Sequence, residues 1–271
     1  MPNFAAKCRL IAANPHTYPV LTQEKIKLIS ALKVKKYRQK YRKFTVEGEK
    51  IVLELLLSGT YQPEALYGLA EWGDAHAALL KQTQAPFFPV READLKKISS
   101  LQTPNKVLAL LPLPPSNQTR YFPLQDYAFF LDGIQDPGNL GAIWRIADWF
   151  GMPALFTSPD TVDAWNPKVL QACMGAFLRV PCVELSWQQA LEQHPHLPVL
   201  GAVLHGHSVY DAKLPGCGLV VIGQEGRGVS QALLQHIQYP LTIPKGINGG
   251  AESLNASVAA GILAAFLRRP K

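Results

Sequence analysis

From residue 127 onward the chain alternates two patterns of apolar positions. Runs of nearly consecutive apolar residues, YAFFLDGI (127–134), ALFTS (154–158), PVLGAVLHG (198–206), GLVVIGQEG (218–226) and YPLTIPKG (239–246), have the length and β-branched or aromatic content of strands. Between them lie NLGAIWRIADWFG (139–151), which reads as a helix ended by Gly151, and NPKVLQACMGAFLRVP (166–181), which holds a helix and a following turn. A last apolar helix begins near Ala256. Strands without polar alternation are buried on both faces, so the pattern predicts an α/β domain with a mostly parallel sheet.

Upstream the elements are shorter and more mixed. FTVEGEKIVLELLLSG predicts a strand at Phe44–Val46, a turn at Gly48 and a helix to about Leu57. APFFPV (85–90) and KVLALLPL (106–113) read as strands, and READLKKISSL (91–101) as a helix. These make a second, small α/β domain over residues 1–110. The Pro-rich and polar stretch LPLPPSNQTRYFP (111–123) is the linker candidate, so the expected division is 1–110, a linker at 111–124, and 125–271.

Charge sharpens this picture. The 271-residue chain carries a formal charge of +7, and its basic groups cluster. Lys25, Lys27, Lys33, Lys35, Lys36, Arg38, Lys40, Arg42 and Lys43 follow one another without an acidic residue, with Tyr37, Tyr41 and Phe44 interleaved. Leu28, Ile29 and Leu32, with Val34 beside them, give this basic segment a helical apolar stripe. It reads either as a solvated helix face or as a surface that neutralises phosphates and stacks on bases.

Cys8, Cys173, Cys182 and Cys217 form no CxxC pair, and the neighbouring His205 and His207 read as loop surface, so no metal site is expected. No apolar signal segment opens the chain, and its longest apolar run, Ala256–Leu267, is too short to span a bilayer. A soluble, cytoplasmic protein without a membrane partner is expected.

Three loops stand where a parallel sheet binds ligands, beyond the carboxyl ends of strands: DPGNLG (136–141), GQEGRG (223–228) and KGINGGAESLN (245–255). In the third, Gly246, Gly249 and Gly250 precede Glu252, Ser253 and Asn255 at the start of the last helix, a pattern for close main-chain approach to a ligand or simply for helix capping. Neither GxGxxG after a first strand nor GxxxxGK[ST] occurs, which argues against a dinucleotide fold or a P-loop. No Ser-His-Asp or Cys-His arrangement and no GxSxG elbow is visible.

LDGIQDPGNLGAIWRIADWFG, LVVIGQEGRGVS and LTIPK…ESLNASVAAGI, in this order, resemble the three motifs of the SpoU family of RNA ribose 2′-O-methyltransferases, within the SPOUT superfamily and TrmH-like. The resemblance covers about residues 127–269. The first hundred-odd residues resemble the ribosomal-protein-like substrate-binding domain that precedes many SpoU catalytic domains, FTVEGEKIVLELLLSG most clearly.

The resemblance implies a parallel sheet ending in a trefoil knot, S-adenosyl-L-methionine bound in that knot, a homodimer, and structured RNA as partner, with ribosomal RNA favoured over transfer RNA. On matching positions it implies that Gly223, Ile243 and Leu254 hold the cofactor largely through main chain, with help near Val203–Leu204. It implies Arg145 as the catalytic arginine and Asn139, Glu225, Ser253 and Asn255 as the other polar site residues. Glu225 and Asn255 would orient Arg145 and the ribose, and Asn139 and Ser253 would support the loops. A guanidinium stays protonated in proteins, so clamping a phosphate and stabilising charge at the 2′-oxygen suits Arg145 better than acting as a base. Trp144, Trp149 and Phe150 are candidates for the dimer contact or for core packing.

Two departures from the family pattern are visible. Lys245 stands where Met usually follows Ile-Pro, and the loop from Ile243 to Leu254 is about two residues longer, through Asn248–Gly250. Lys245 reads as a phosphate contact or as solvent-exposed. The competing expectation is a catalytically silent RNA-binding or ribosome-assembly factor on the same fold, and a base-methylating relative is a further alternative.

Overall fold

The computed structural model describes residues 21–115 and 124–268. Cys8 and most of the stretch expected as linker lie outside these residues. Among the described residues the chain forms two sheets.

The first half runs α1 (Gln23–Ala31), α2 (Lys35–Tyr41), β1 (Lys43–Glu47), α3 (Glu49–Ser58), β2 (Ala65–Gly68), α4 (Ala70–Ala75), α5 (Ala77–Thr83), β3 (Phe87–Pro89), α6 (Glu92–Ile98) and β4 (Val107–Pro112). Its sheet has the order β1-β4-β2-β3; β4 is antiparallel to β1 and to β2, and β3 is parallel to β2. The basic segment expected as one helix is two. The chain turns at Leu32–Val34, where Leu32 is fully buried and Val34 is exposed, so the apolar stripe anchors only the first helix.

The second half runs β5 (Tyr127–Asp132), α7 (Pro137–Trp149), β6 (Leu155–Thr157), α8 (Pro167–Ala172), β7 (Cys182–Glu184), α9 (Trp187–Gln193), β8 (Val199–Ser208), β9 (Gly218–Gly223), α10 (Gln231–Leu234), β10 (Tyr239–Thr242) and α11 (Ala256–Leu267). Its six strands lie in the order β10-β8-β9-β5-β6-β7, every pairing parallel. The pleat sends alternate residues of each strand to opposite faces. Tyr127, Phe129, Leu131, Val220 and Ile222 enter one core, while Ala128, Phe130, Leu219 and Val221 enter another with residues of α9 and α10. This double burial is why the strands read as unbroken apolar runs.

The first of these cores is shared between the two halves. It joins Phe44, Val46, Val52 and Leu55 of the first half to Ile143, Trp144, Val169 and Phe177 of the second. Aromatic rings cross the seam: Phe44 and Trp165 lie 4.7 Å apart, and Tyr61 stands edge-on to Trp165. Arg38 is 2% exposed and pairs with Asp163, its Nε 2.9 Å from Oδ2, while its Nη1 donates to the Leu32 carbonyl at 2.7 Å. Arg179 bridges Glu54 on α3 and Asp148 on α7. Trp144, a candidate for a dimer contact, is fully buried here and donates its Nε1–H to the Val180 carbonyl at 2.8 Å; its bulk fills the core between α7 and the chain after α8.

Candidate active site

The loops that follow β5, β9 and β10 emerge from one edge of the second sheet, on strands within a block of four neighbours. After β5, Asp136 caps α7 by accepting from the Asn139 N–H at 2.8 Å. Asn139 therefore stands in the first turn of α7, with Asp136 as the cap and its own side chain turned to the other loops. After β9, Gln224 and Gly228 pair through both main-chain bonds, at 3.1 and 2.8 Å, which folds Glu225–Arg227 into a tight turn. A Cβ on Gly223 would strike the Gly228 and Val229 backbone, so this turn requires glycine there. The Asp132 carboxylate at the end of β5 accepts from the Ser230 N–H at 2.7 Å and ties the second loop to the first. Sequence reasoning did not single out Asp132, and it placed Asp136 among the polar loop residues without a role. The signal was an acidic residue closing an apolar strand, and another immediately before Pro137 at a helix start.

Three of the expected polar residues form a hydrogen-bonded chain. The Asn139 Nδ2 donates to the Glu225 carboxylate, and Asn255 Nδ2 donates to Asn139 Oδ1 at 2.9 Å. Asn255 is also the cap of α11, its Oδ1 accepting from the Ser257 N–H at 2.9 Å and the Val258 N–H at 3.3 Å. One residue from each loop is thus held to the next, with Asn255 serving as helix cap and loop tie together.

Arg145 lies on α7, two turns beyond its start. It is exposed, and its guanidinium makes no hydrogen bond or ion pair among the described residues. Glu225 is bonded to Asn139, not to Arg145. Ser253 is exposed and does not cap α11. Lys245 is exposed, and Ile247 projects fully into solvent beside a turn in which the Gly249 N–H reaches the Gly246 carbonyl at 2.9 Å.

The positions expected to hold the cofactor have the right chemistry for an adenosyl group. Gly223 and Ile243 are half-buried, and Leu254 is 45% exposed. The main chain of Ile243 and Leu254 makes no hydrogen bond among the described residues, which leaves peptide N–H and C=O groups beside apolar side chains. Such groups suit the polar edge and flat faces of adenine. Nearby, the Leu204 carbonyl accepts from Thr242 Oγ1 at 3.0 Å, joining the ends of β8 and β10. The β8–β10 register slips so that Pro240 pairs with Gly201 but Leu241 with His207, and the intervening segment of β8 bulges out. Among the described residues no group of three or more His, Cys, Asp or Glu side chains is placed to hold a metal ion, and no helix is long and apolar enough to cross a membrane.

A parallel sheet with three tied loops at its carboxyl edge defines an α/β protein whose loops converge where such sheets bind ligands. Residues 126–265 match the SpoU rRNA Methylase family, and residues 23–109 match the MRM3-like substrate binding domain. The chain belongs to the SpoU rRNA methylase family. It is 29% identical over 249 residues to the 23S rRNA (guanosine(2553)-2′-O)-methyltransferase RlmP of Bacillus subtilis, covering 90% of this chain and 96% of that one. A solved structure assigned to the TrmH family of RNA methyltransferases, from Porphyromonas gingivalis, is 35% identical with a TM-score of 0.79 over 92% of this chain and 98% of that one. The AdoMet-bound rRNA methyltransferase of Sinorhizobium meliloti superposes with a TM-score of 0.80 over 92% and 95% of the two chains; at 24% identity this speaks to the fold.

Proposed function

We propose that this protein transfers a methyl group from S-adenosyl-L-methionine to a ribose 2′-hydroxyl of structured RNA, with ribosomal RNA as the substrate class. The observation that carries this reading is the Glu225–Asn139–Asn255 chain, which ties three loops together, with the exposed, unpaired Arg145 on the same helix as Asn139. Family membership and the likeness to RlmP support the chemistry and the ribosomal target.

S-adenosylmethionine supplies an electrophilic methyl on a positively charged sulfur, with a neutral thioether as leaving group. The protein then has little acid chemistry to do; it must align the 2′-oxygen with the methyl and stabilise charge as the C–O bond forms, the S–CH3 bond breaks and the O–H proton passes to solvent water. Arg145 has the free guanidinium to clamp the phosphate beside that ribose. Asn139, held by Glu225, sets the position of Asn255, which would face the ribose. Ser253 supports the third loop. Gly223, Ile243 and Leu254, with the end of β8 near Val203–Leu204, would hold the cofactor by main-chain groups and apolar contact, with β10 and α11 threaded as a trefoil knot.

The working unit in this reading is a homodimer in the cytoplasm, dividing as a substrate-binding domain at 1–110, a linker at 111–124 and a catalytic domain at 125–271. Trp149 supports the dimer. It is 84% exposed on α7, one turn beyond Arg145, and a large indole so placed is covered well by a second copy. Phe150 is half-buried against the core and contributes less.

Replacing Arg145 with Ala should reduce 2′-O-methylation of rRNA by at least a hundredfold while leaving S-adenosylmethionine affinity, read by calorimetry, within about twofold. Full activity in that variant would overturn the assignment. A wild-type protein that binds RNA but not S-adenosylmethionine would instead be the silent assembly factor. Mapping 2′-O-methyl positions in RNA from cells with and without the gene identifies the nucleotide.

A further inference from the structure

The basic segment at the start of the chain separates in three dimensions into two sets. One set is engaged in contacts with the rest of the protein. Lys33 Nζ donates to the Ser99 carbonyl at 2.6 Å, Arg38 is buried against Asp163, Arg42 reaches the Pro114 carbonyl at 3.0 Å, and Lys43 pairs with Glu64. The other set is unspent. Lys35, Lys36 and Lys40 on α2 are exposed, and no carboxylate pairs with them among the described residues. Tyr37 stands among these lysines, 37% exposed, with its ring stacked parallel to that of Tyr41, 6.2 Å between centroids at 16°. Lys40 lies over the Tyr41 ring at 5.4 Å.

A solvated helix of ordinary kind carries both signs of charge, which relieves repulsion through i to i+4 pairs. Seven-residue α2, KKYRQKY, carries no acid, and its one buried cation points away into the seam. Lys36 and Lys40 are four residues apart and so share a face, within reach of successive phosphates along a nucleic-acid backbone. Lysine ammonium groups serve as point charges for phosphate, and a partly exposed, preorganised tyrosine ring serves as a platform for an unpaired base.

We infer that the Lys35–Lys36–Tyr37–Lys40 surface of α2 is a second RNA contact. It would grip the phosphates of the substrate RNA and stack one unpaired base on Tyr37, apart from the three-loop site. This deepens the RNA-methyltransferase reading and rests on it. The Arg38–Asp163 pair gives the contact its purpose, because it fixes α2 to the loop before α8 in the half that carries Arg145. The grip and the reacting ribose then sit at a set separation, and RNA whose phosphates do not match that spacing is excluded.

The test uses the full-length protein and unmethylated 23S rRNA purified from cells lacking the gene, with binding measured over a salt series. The triple variant K35A/K36A/K40A should bind at least tenfold more weakly at low salt, and the slope of log affinity against log salt should fall by about two to three, the loss of three phosphate contacts. Tyr37→Ala should weaken binding about tenfold with the slope unchanged, and Tyr37→Phe should behave as wild type. S-adenosylmethionine affinity should be unaltered in all three. Wild-type affinity and slope in the triple variant would overturn the inference while leaving the methyltransferase reading intact. Wild-type protein that methylates no RNA would bring down that reading instead. Preferential binding to vesicles of phosphatidylserine over rRNA would assign the lysines to a membrane and also overturn the inference.

Discussion

Asn255 shows how one side chain can hold two roles that are separable by chemistry. Its Oδ1 caps α11, and its Nδ2 reaches Asn139. Asn255→Asp keeps the capping acceptor and removes the donor, so it should retain wild-type thermal stability yet lose methyl transfer. Asn255→Ala should lose about 1 kcal/mol of stability as well, read from urea midpoints. Asp94 offers a contrasting case, far from the site. Its buried carboxylate is held below the usual range first by the hydrogen bond from Lys97 and then by Arg91, against the opposing effect of burial. A lowered folded-state pKa stabilises the protein above the unfolded value and stops doing so as pH falls through the folded one. Asp94→Asn should therefore be less stable than wild type at pH 7, and the gap should close progressively below a pH of about 4. Individual roles were partly legible in the sequence. The motif residues Asn139, Glu225 and Asn255 meet in space, but their bonding order was not readable. Arg38 read as one more surface cation, solvated or phosphate-facing, because no local pattern announces a partner 125 residues away.

At the scale of elements, burial decided what could be read. The second sheet was legible because each strand is covered on both faces, which forces unbroken apolar runs. The strands β2 and β7 have four and three residues, too few to display any period. Helix α9 buries only Ala190, so it lacks an apolar stripe; its signal was the capping box of Ser186 and Gln189. The break between α1 and α2 escaped a reading based on charge, since lysines continue across it. Helix α7, which carries both Asn139 and Arg145, is positioned by Gly141. A Cβ there would lie 2.5 Å from the Ala172 Cβ and 2.7 Å from the Val169 carbonyl. Gly141→Val should push α7 away from α8, lowering stability by about 1–3 kcal/mol in urea unfolding, and reduce methyl transfer by moving Arg145.

For the molecule as a whole, the decisive feature is the shared core between the two sheets. Periodicity and composition divided the chain into two halves, and nothing in either pattern revealed that both would bury side chains in one continuous interior. Phe44, Tyr61, Trp165, Phe177 and Trp144 interlock across the seam, with Arg38–Asp163 and the Arg179 bridge beside them. Scanning calorimetry should therefore record a single transition whose van't Hoff and calorimetric enthalpies agree. Substituting Trp165 by Ala should lower its midpoint and split it into two as the halves come apart. The seam has a consequence for how the protein can be assembled. Because the halves meet through a shared apolar surface and paired charges, their union should not depend on the covalent connection between them. Two separate polypeptides, one ending after Leu113 and the other starting before Leu124, would find each other in solution and reconstitute one enzyme.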